Sequence, residues 1–98
     1  MRISNINTTF GQVHFATRKI KSEIQKELQN SSENFVKHYH YNLSSCENST
    51  QYDIIVNRWG KVFLTDKKEN ISQEFKGFSS TLENLNNALK TVLMLETQ

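Results

Sequence analysis

The sequence predicts an α+β domain of two layers, an antiparallel sheet of two or three strands packed by one helix near the N-terminus and one at the C-terminal end. Three observations carry this. Residues 52–66 read as two strands rich in Ile, Val, Phe and Tyr that fold back through Asn57 to Gly60. Residues 13–29 place Val13, Ala16, Ile20, Ile24 and Leu28 at three- and four-residue steps, the spacing of one helical face. Ser80 and Glu83 form the S-x-x-E pattern in which each side chain satisfies a free N–H of a helix's first turn, and Leu82, Leu85, Leu89 and Val92 follow in one seam.

Taken in order, residues 1–11 hold Ile3, Ile6 and Phe10 among polar residues before Gly11, which fits an edge strand or a tail docked on the body. The first helix, about 13–29, ends at Asn30-Ser31-Ser32. Residues 35–43 put Phe35, Tyr39, Tyr41 and Leu43 on odd positions and His38, His40 and Asn42 on even ones, a period of two that favours a third strand. Lys37 interrupts that series, and Val36 with Tyr39 also suits a helix. Residues 44–51 are a polar connection. The hairpin is apolar on both faces, since Ile54 and Val56 alternate with Ile55 and Val62 and Leu64 with Phe63. A strand of that kind is ordinarily covered on both sides, so the second cover is expected from residues 1–11, from an aromatic loop at Ile71 to Phe78, or from another molecule. Residues 67–77 read as charged and irregular, with Ile71, Phe75 and Phe78 as lids. The closing helix runs about 80–95, with Ala88, Leu93 and Leu95 widening its apolar stripe.

At 98 residues the chain is read as a single domain able to bury a core without a metal or disulfide. Leu, Ile, Val and Phe make up about a quarter of the residues, above the level at which disorder is the better reading. Cys46 is the lone cysteine, so an internal disulfide and a cysteine-based zinc cluster are both excluded. With no apolar run of signal-peptide or membrane-span length, the expectation is a cytoplasmic protein without membrane contact. The Asn-x-Ser/Thr triplets that begin at Asn7, Asn30, Asn42, Asn48 and Asn70 then follow from the abundance of those residue types. Net charge is +2, unevenly placed: Arg2, Arg18, Lys19 and Lys21 precede the first acid, Glu23, so residues 1–22 carry +4 and the rest −2.

Chemistry has few footholds. His38-x-His40 on one strand face would offer a transition metal two ligands, with Cys46 or Glu47 as a third, yet such a pair is more often solvated. Cys46 lacks a glycine-rich loop that would stabilise an oxyanion. Asp53 and Asp66 close the outer ends of the hairpin strands, where they could share a proton, though strand-end aspartates usually bond nearby N–H groups. No catalytic residue, metal site or cofactor is therefore assigned.

Binding has more. Arg58 and Trp59 at the hairpin tip, with Lys61, Lys67 and Lys68 behind, join charge to a stacking surface, and Arg18, Lys19 and Lys21 add a basic start to the first helix. The order helix, three strands, helix resembles, in topology alone, the double-stranded-RNA-binding domain. That family's basic cluster at the start of its last helix is here Ser79-Ser80-Thr81-Leu82-Glu83, and its Gly-Pro-x-His loop has no counterpart in a chain without proline, so the chain is not assigned to it. The leading expectation is a non-enzymatic protein-interaction module, a homodimer, adaptor or inhibitor, contacting its partner through Arg58, Trp59, Leu93 and Leu95. The alternative is a nucleic-acid-associated protein using Arg18, Lys19, Lys21, Arg58, Trp59 and Lys61.

Overall fold

The computed structural model describes residues 13–47 and 49–97. The expectation for residues 1–11 lies outside them. Elements run in the order β1 (Val13–Phe15), α1 (Arg18–Gln29), α2 (Glu33–Ser45), β2 (Tyr52–Val56), β3 (Val62–Asp66), β4 (Ile71–Phe75) and α3 (Thr81–Glu96). The fold is α+β, with a four-stranded sheet in the order β1-β2-β3-β4. The sheet is mixed: β1 runs parallel to β2, and β2, β3 and β4 form an antiparallel meander.

The hairpin folds as expected, with Ile54 opposite Leu64 and Val56 opposite Val62. Directly opposite residues share a face, so Tyr52, Ile54, Val56, Val62 and Leu64 form one buried surface, joined by Val13 from β1. Onto that surface α3 lays Leu82, Leu85, Ala88, Leu89 and Val92, all at most 2% exposed. The N-cap half of the expected capping box forms: Ser80 Oγ accepts the Glu83 N–H at 3.2 Å, while the Glu83 carboxylate meets the Ser80 hydroxyl at 3.1 Å instead of the Ser80 N–H. The α2 helix lies beside α3, tied by a hydrogen bond from Asn42 Nδ2 to Asn86 Oδ1 (2.9 Å) and by the Cys46 thiol on the Leu89 carbonyl.

Three expectations need correction. The first helix begins at Arg18 rather than near 13, because the Thr17 side chain caps it by accepting the Ile20 N–H, while Val13 and Phe15 alternate around His14 and pair with β2. Residues 35–43 belong to α2, not to a strand. Phe35, Tyr39 and Leu43 are four apart, and that step returns to the same face of either a strand or a helix. Tyr41 and Asn42 separate the two readings, since Tyr41, which a strand would bury with its odd neighbours, is 69% exposed and Asn42 is buried. Ser32 caps this helix by accepting the Phe35 N–H, with Glu33 in its first turn where the positive end of the dipole favours an acid.

The sheet also has more strands than two or three, because β1 joins by parallel pairing and β4 forms from the stretch read as irregular. Asp66 turns the chain into β4, its Oδ1 accepting the Lys68 and Glu69 N–H groups, and Asn70 adopts a φ of 57° before Ile71. Ile71 and Phe78 are exposed and so are not lids, whereas Phe75 does pack against the core.

No helix among the described residues is long and apolar enough to cross a membrane.

Candidate functional site

The hairpin tip is a built structure. Asn57 Oδ1 accepts both the Trp59 and the Lys61 N–H, at 3.0 and 2.9 Å, and its own N–H donates to the Lys61 carbonyl. Gly60 takes a φ of +81°, which an L side chain rarely adopts, and its carbonyl accepts the Thr81 hydroxyl at 3.0 Å. A Cβ at this position would also lie 2.7 Å from Thr81 Oγ1. The tip is thereby pinned to the first turn of α3. On this frame Trp59 is 74% exposed, and the Arg58 guanidinium lies 5.2 Å from a ring centroid of Trp59, within reach of the ring's quadrupole.

Topology brings other cations to the same end of the sheet. Phe15 is in register with Val56, and the Ala16 N–H donates to the Val56 carbonyl at 2.9 Å, so Arg18 and Lys19 at the start of α1 follow directly beside the hairpin tip. On the far side Phe75 is in register with Val62, which places Lys76 next to Lys61. Arg18, Lys19, Arg58, Lys61 and Lys76 are all exposed. The carboxylate of Glu83 at this end is engaged by the hydroxyls of Ser79 and Ser80. Asp53, Asp66 and Glu69 lie toward the opposite end, where Tyr52 pairs with Asp66.

The sequence-derived candidates separate. Arg58, Trp59, Lys61, Arg18 and Lys19 share the tip end, while Lys21 turns to a groove between β1, α1 and α2. Leu93 is half-buried against the core, so it serves the fold. Leu95 is 37% exposed beside Met94 at 65%, but it stands at the C-terminal end of α3, while Trp59 is held at the N-terminal end. Sixteen helical residues span about 24 Å, which puts Leu95 outside any surface centred on Trp59. Sequence reasoning missed Lys76 and the Thr81 anchor. The first becomes legible only once β4 is known, the second only once α3 is seated under the hairpin.

The weaker chemical candidates fall away. His38 and His40 are on a helix, where a two-residue step turns about 200°, so they do not share a face. Among the described residues no group of three His, Cys, Asp or Glu is placed to hold a metal ion. Cys46 is buried, and burial, then the nearby Glu96 carboxylate, pushes its thiol up to about 11. Such a thiol stays protonated near neutrality and is a poor nucleophile. Adjacent strand positions send Asp53 and Asp66 to opposite faces: Asp53 lies 3.7 Å from both His14 Nε2 and Lys67 Nζ, whereas Asp66 takes the Gln51 side-chain amide and the two turn N–H groups. Desolvation pushes the Asp66 carboxyl up, but the hydrogen bonds from Gln51, Glu69 and Lys68 and the Lys68 charge outweigh it and hold it below its ordinary value. It is a turn-forming group.

The chain matches no family model, no curated protein and no solved structure.

Proposed function

We propose that this chain is a small non-enzymatic interaction module that binds another protein, or a second copy of itself, through the hairpin-tip end, with Arg58 and Trp59 as the contact residues. The observation that carries this reading is Trp59, a large aromatic held 74% exposed on a turn whose own hydrogen bonds fix it. A turn needs no tryptophan, and the core gains little from this one. Trp and Arg are the residues most enriched where binding energy concentrates, and a side chain presented on a rigid frame loses little freedom when it is covered. The surrounding cations favour an acidic partner surface by steering its approach.

Leu95 with Met94 is a secondary patch in this reading. So is Ile55, 39% exposed on the sheet face turned away from the helices. A cytoplasmic setting without membrane contact fits such a module.

The test is comparative capture from cells that express the protein, with wild type, Trp59→Ala, Arg58→Ala and Leu95→Ser as baits. The reading expects one discrete partner that both tip variants lose and Leu95→Ser keeps. Loss with Leu95→Ser alone would move the interface to the far end of α3. A mass measurement in solution separates self-association from a foreign partner.

A second reading, nucleic-acid association, is supported by the exposed Arg18, Lys19, Arg58, Lys61 and Lys76 at the same end of the sheet as an exposed aromatic. It expects retardation of RNA or DNA at low salt, with a steep salt dependence that shallows when Arg18 and Lys19 are neutralised. No retardation at low salt ends it.

A further inference from the structure

The exposed cations of the hairpin-tip end, Arg18, Lys19, Arg58, Lys61 and Lys76, enter none of the ion pairs among the described residues, which join His14 and Lys67 to Asp53 and Lys37 to Glu33. Residues 1–12 contain no aspartate or glutamate, so they bring no side-chain carboxylate to this end. Carried one residue past Val62 and Phe75, the register of β3 with β4 sets Lys61 opposite Lys76. Directly opposite residues share a face, and like charges placed so repel, an unfavourable arrangement that a bound anion relieves. Glu74 is one rung further in, opposite Phe63, and Glu27 and Glu83 border a small hollow beside Ser80 on the helix side. The positive charge is therefore confined to a short band across the strand ends.

The strand order spaces that band. Arg18 and Lys19 follow β1, Arg58 and Trp59 occupy the turn between β2 and β3, Lys61 precedes β3 and Lys76 follows β4. Neighbouring strands lie about 4.8 Å apart, so the ends of β1 and β4 are about 14 Å from each other, with the Trp59 turn about 7 Å from each. An extended peptide rises about 3.3 Å per residue and sends alternate side chains to one side, so residues two and four places on lie about 7 and 13 Å away and face the same way. The two spacings match. Building on the reading that the tip binds a protein, we propose that the partner presents an extended acidic segment that crosses the end of the sheet at right angles to the strands. A carboxylate at its position i meets Arg18 and Lys19, an aromatic residue at i+2 stacks on Trp59, and a carboxylate at i+4 meets Lys61 and Lys76. A nucleic-acid strand instead follows a continuous basic groove, and a short band bordered by Glu27, Glu74 and Glu83 on a chain of net charge +2 favours the peptide.

Trp59 is the sole tryptophan, so its indole N–H gives one resonance that reports the tip directly. The experiment titrates the full chain by NMR with two synthetic peptides of equal composition and charge, Ser-Glu-Ser-Phe-Ser-Glu-Ser and Ser-Ser-Glu-Glu-Phe-Ser-Ser. The proposal expects the first to move the indole signal and to bind about fivefold more tightly than the second, the worth of one exposed charged contact. Reversing either cation group, Arg18→Glu with Lys19→Glu or Lys61→Glu with Lys76→Glu, should weaken the first peptide and bring it level with the second. Equal affinity of the two peptides for the wild type overturns the proposal, as does a thymidine oligonucleotide that binds more tightly than the first peptide at the same salt concentration. If the peptides bind alike while capture of a cellular partner still depends on Trp59, the extended segment is wrong and the contact tip stands. If neither peptide binding nor capture depends on Trp59, the contact tip itself fails.

Discussion

Replacing Trp59 with alanine separates an exposed contact tip from a structural one. Trp59 is 74% exposed, so only about a quarter of its surface is covered in the folded state. A large aromatic buries roughly 150–250 Å² when enclosed. A quarter of that, at about 25 cal/mol per Å², gives on the order of 1–1.5 kcal/mol as an upper bound, since the unfolded chain also covers part of the ring. The Arg58 stack is exposed and adds about 0.5–1 kcal/mol at most. The expected net cost is therefore about 1–2.5 kcal/mol, against about 3–5 kcal/mol for a buried tryptophan. Urea unfolding followed by far-UV circular dichroism, with the slope compared between variants, reads this directly. Leu89→Ala is the internal standard, because Leu89 is 0% exposed in the middle of α3 and its truncation should cost about 2–5 kcal/mol. If Trp59→Ala proves as costly as Leu89→Ala, the tip is part of the core and the argument from its exposure fails.

Gly60→Ala should destabilise by about 1–3 kcal/mol in the same assay, since φ +81° strains any L side chain and its Cβ would press on Thr81. Combining it with Thr81→Ala should recover only part of the loss. Ser80→Ala should cost about 0.5–2 kcal/mol by freeing the Glu83 N–H, and a cost near zero would deny the cap its role. Cys46 should resist iodoacetamide near neutral pH until urea unfolds the chain. Because its folded value is raised to about 11 from an ordinary 9.0, stability tied to it is intact below 9 and declines as pH climbs toward 11, a decline that Cys46→Ser should flatten. Asp66 has the opposite sign: its folded value is depressed, so its contribution is intact above the ordinary carboxyl value of 3.8 and is lost as pH falls through the lower folded value. Asp66→Asn should therefore make the acid limb of the stability profile shallower, and an unchanged limb would contradict the hydrogen-bonded turn.

What the sequence made legible was local. The hairpin announces itself through Asn57, Gly60 and alternating apolar residues, and α3 through Ser80, Glu83 and a leucine seam, because cap, turn and periodicity all lie within a few residues of one another. The strands β1 and β4 are held by ladder bonds to partners distant in sequence or by a turn at Asp66, and neither Val-His-Phe nor Ile-Ser-Gln-Glu-Phe is a strong signal alone. In α2 the four-residue spacing of Phe35, Tyr39 and Leu43 satisfies two periods at once, and the exposure of Tyr41 with the burial of Asn42 against Asn86 breaks the tie. The tip was half legible. Trp59 in a turn marks itself, but its company with Arg18 and Lys19 depends on the parallel register of Phe15 with Val56, which no local pattern reports.

The most direct measurement is photo-crosslinking in cells that express the protein, with a benzophenone side chain placed at Lys61 beside the tip and, separately, at exposed Lys90 on α3. A module that binds through Arg58 and Trp59 predicts a discrete heavier adduct from position 61, abolished by Trp59→Ala, and none from position 90. An adduct from position 90 alone, or one from position 61 that survives Trp59→Ala, would contradict it.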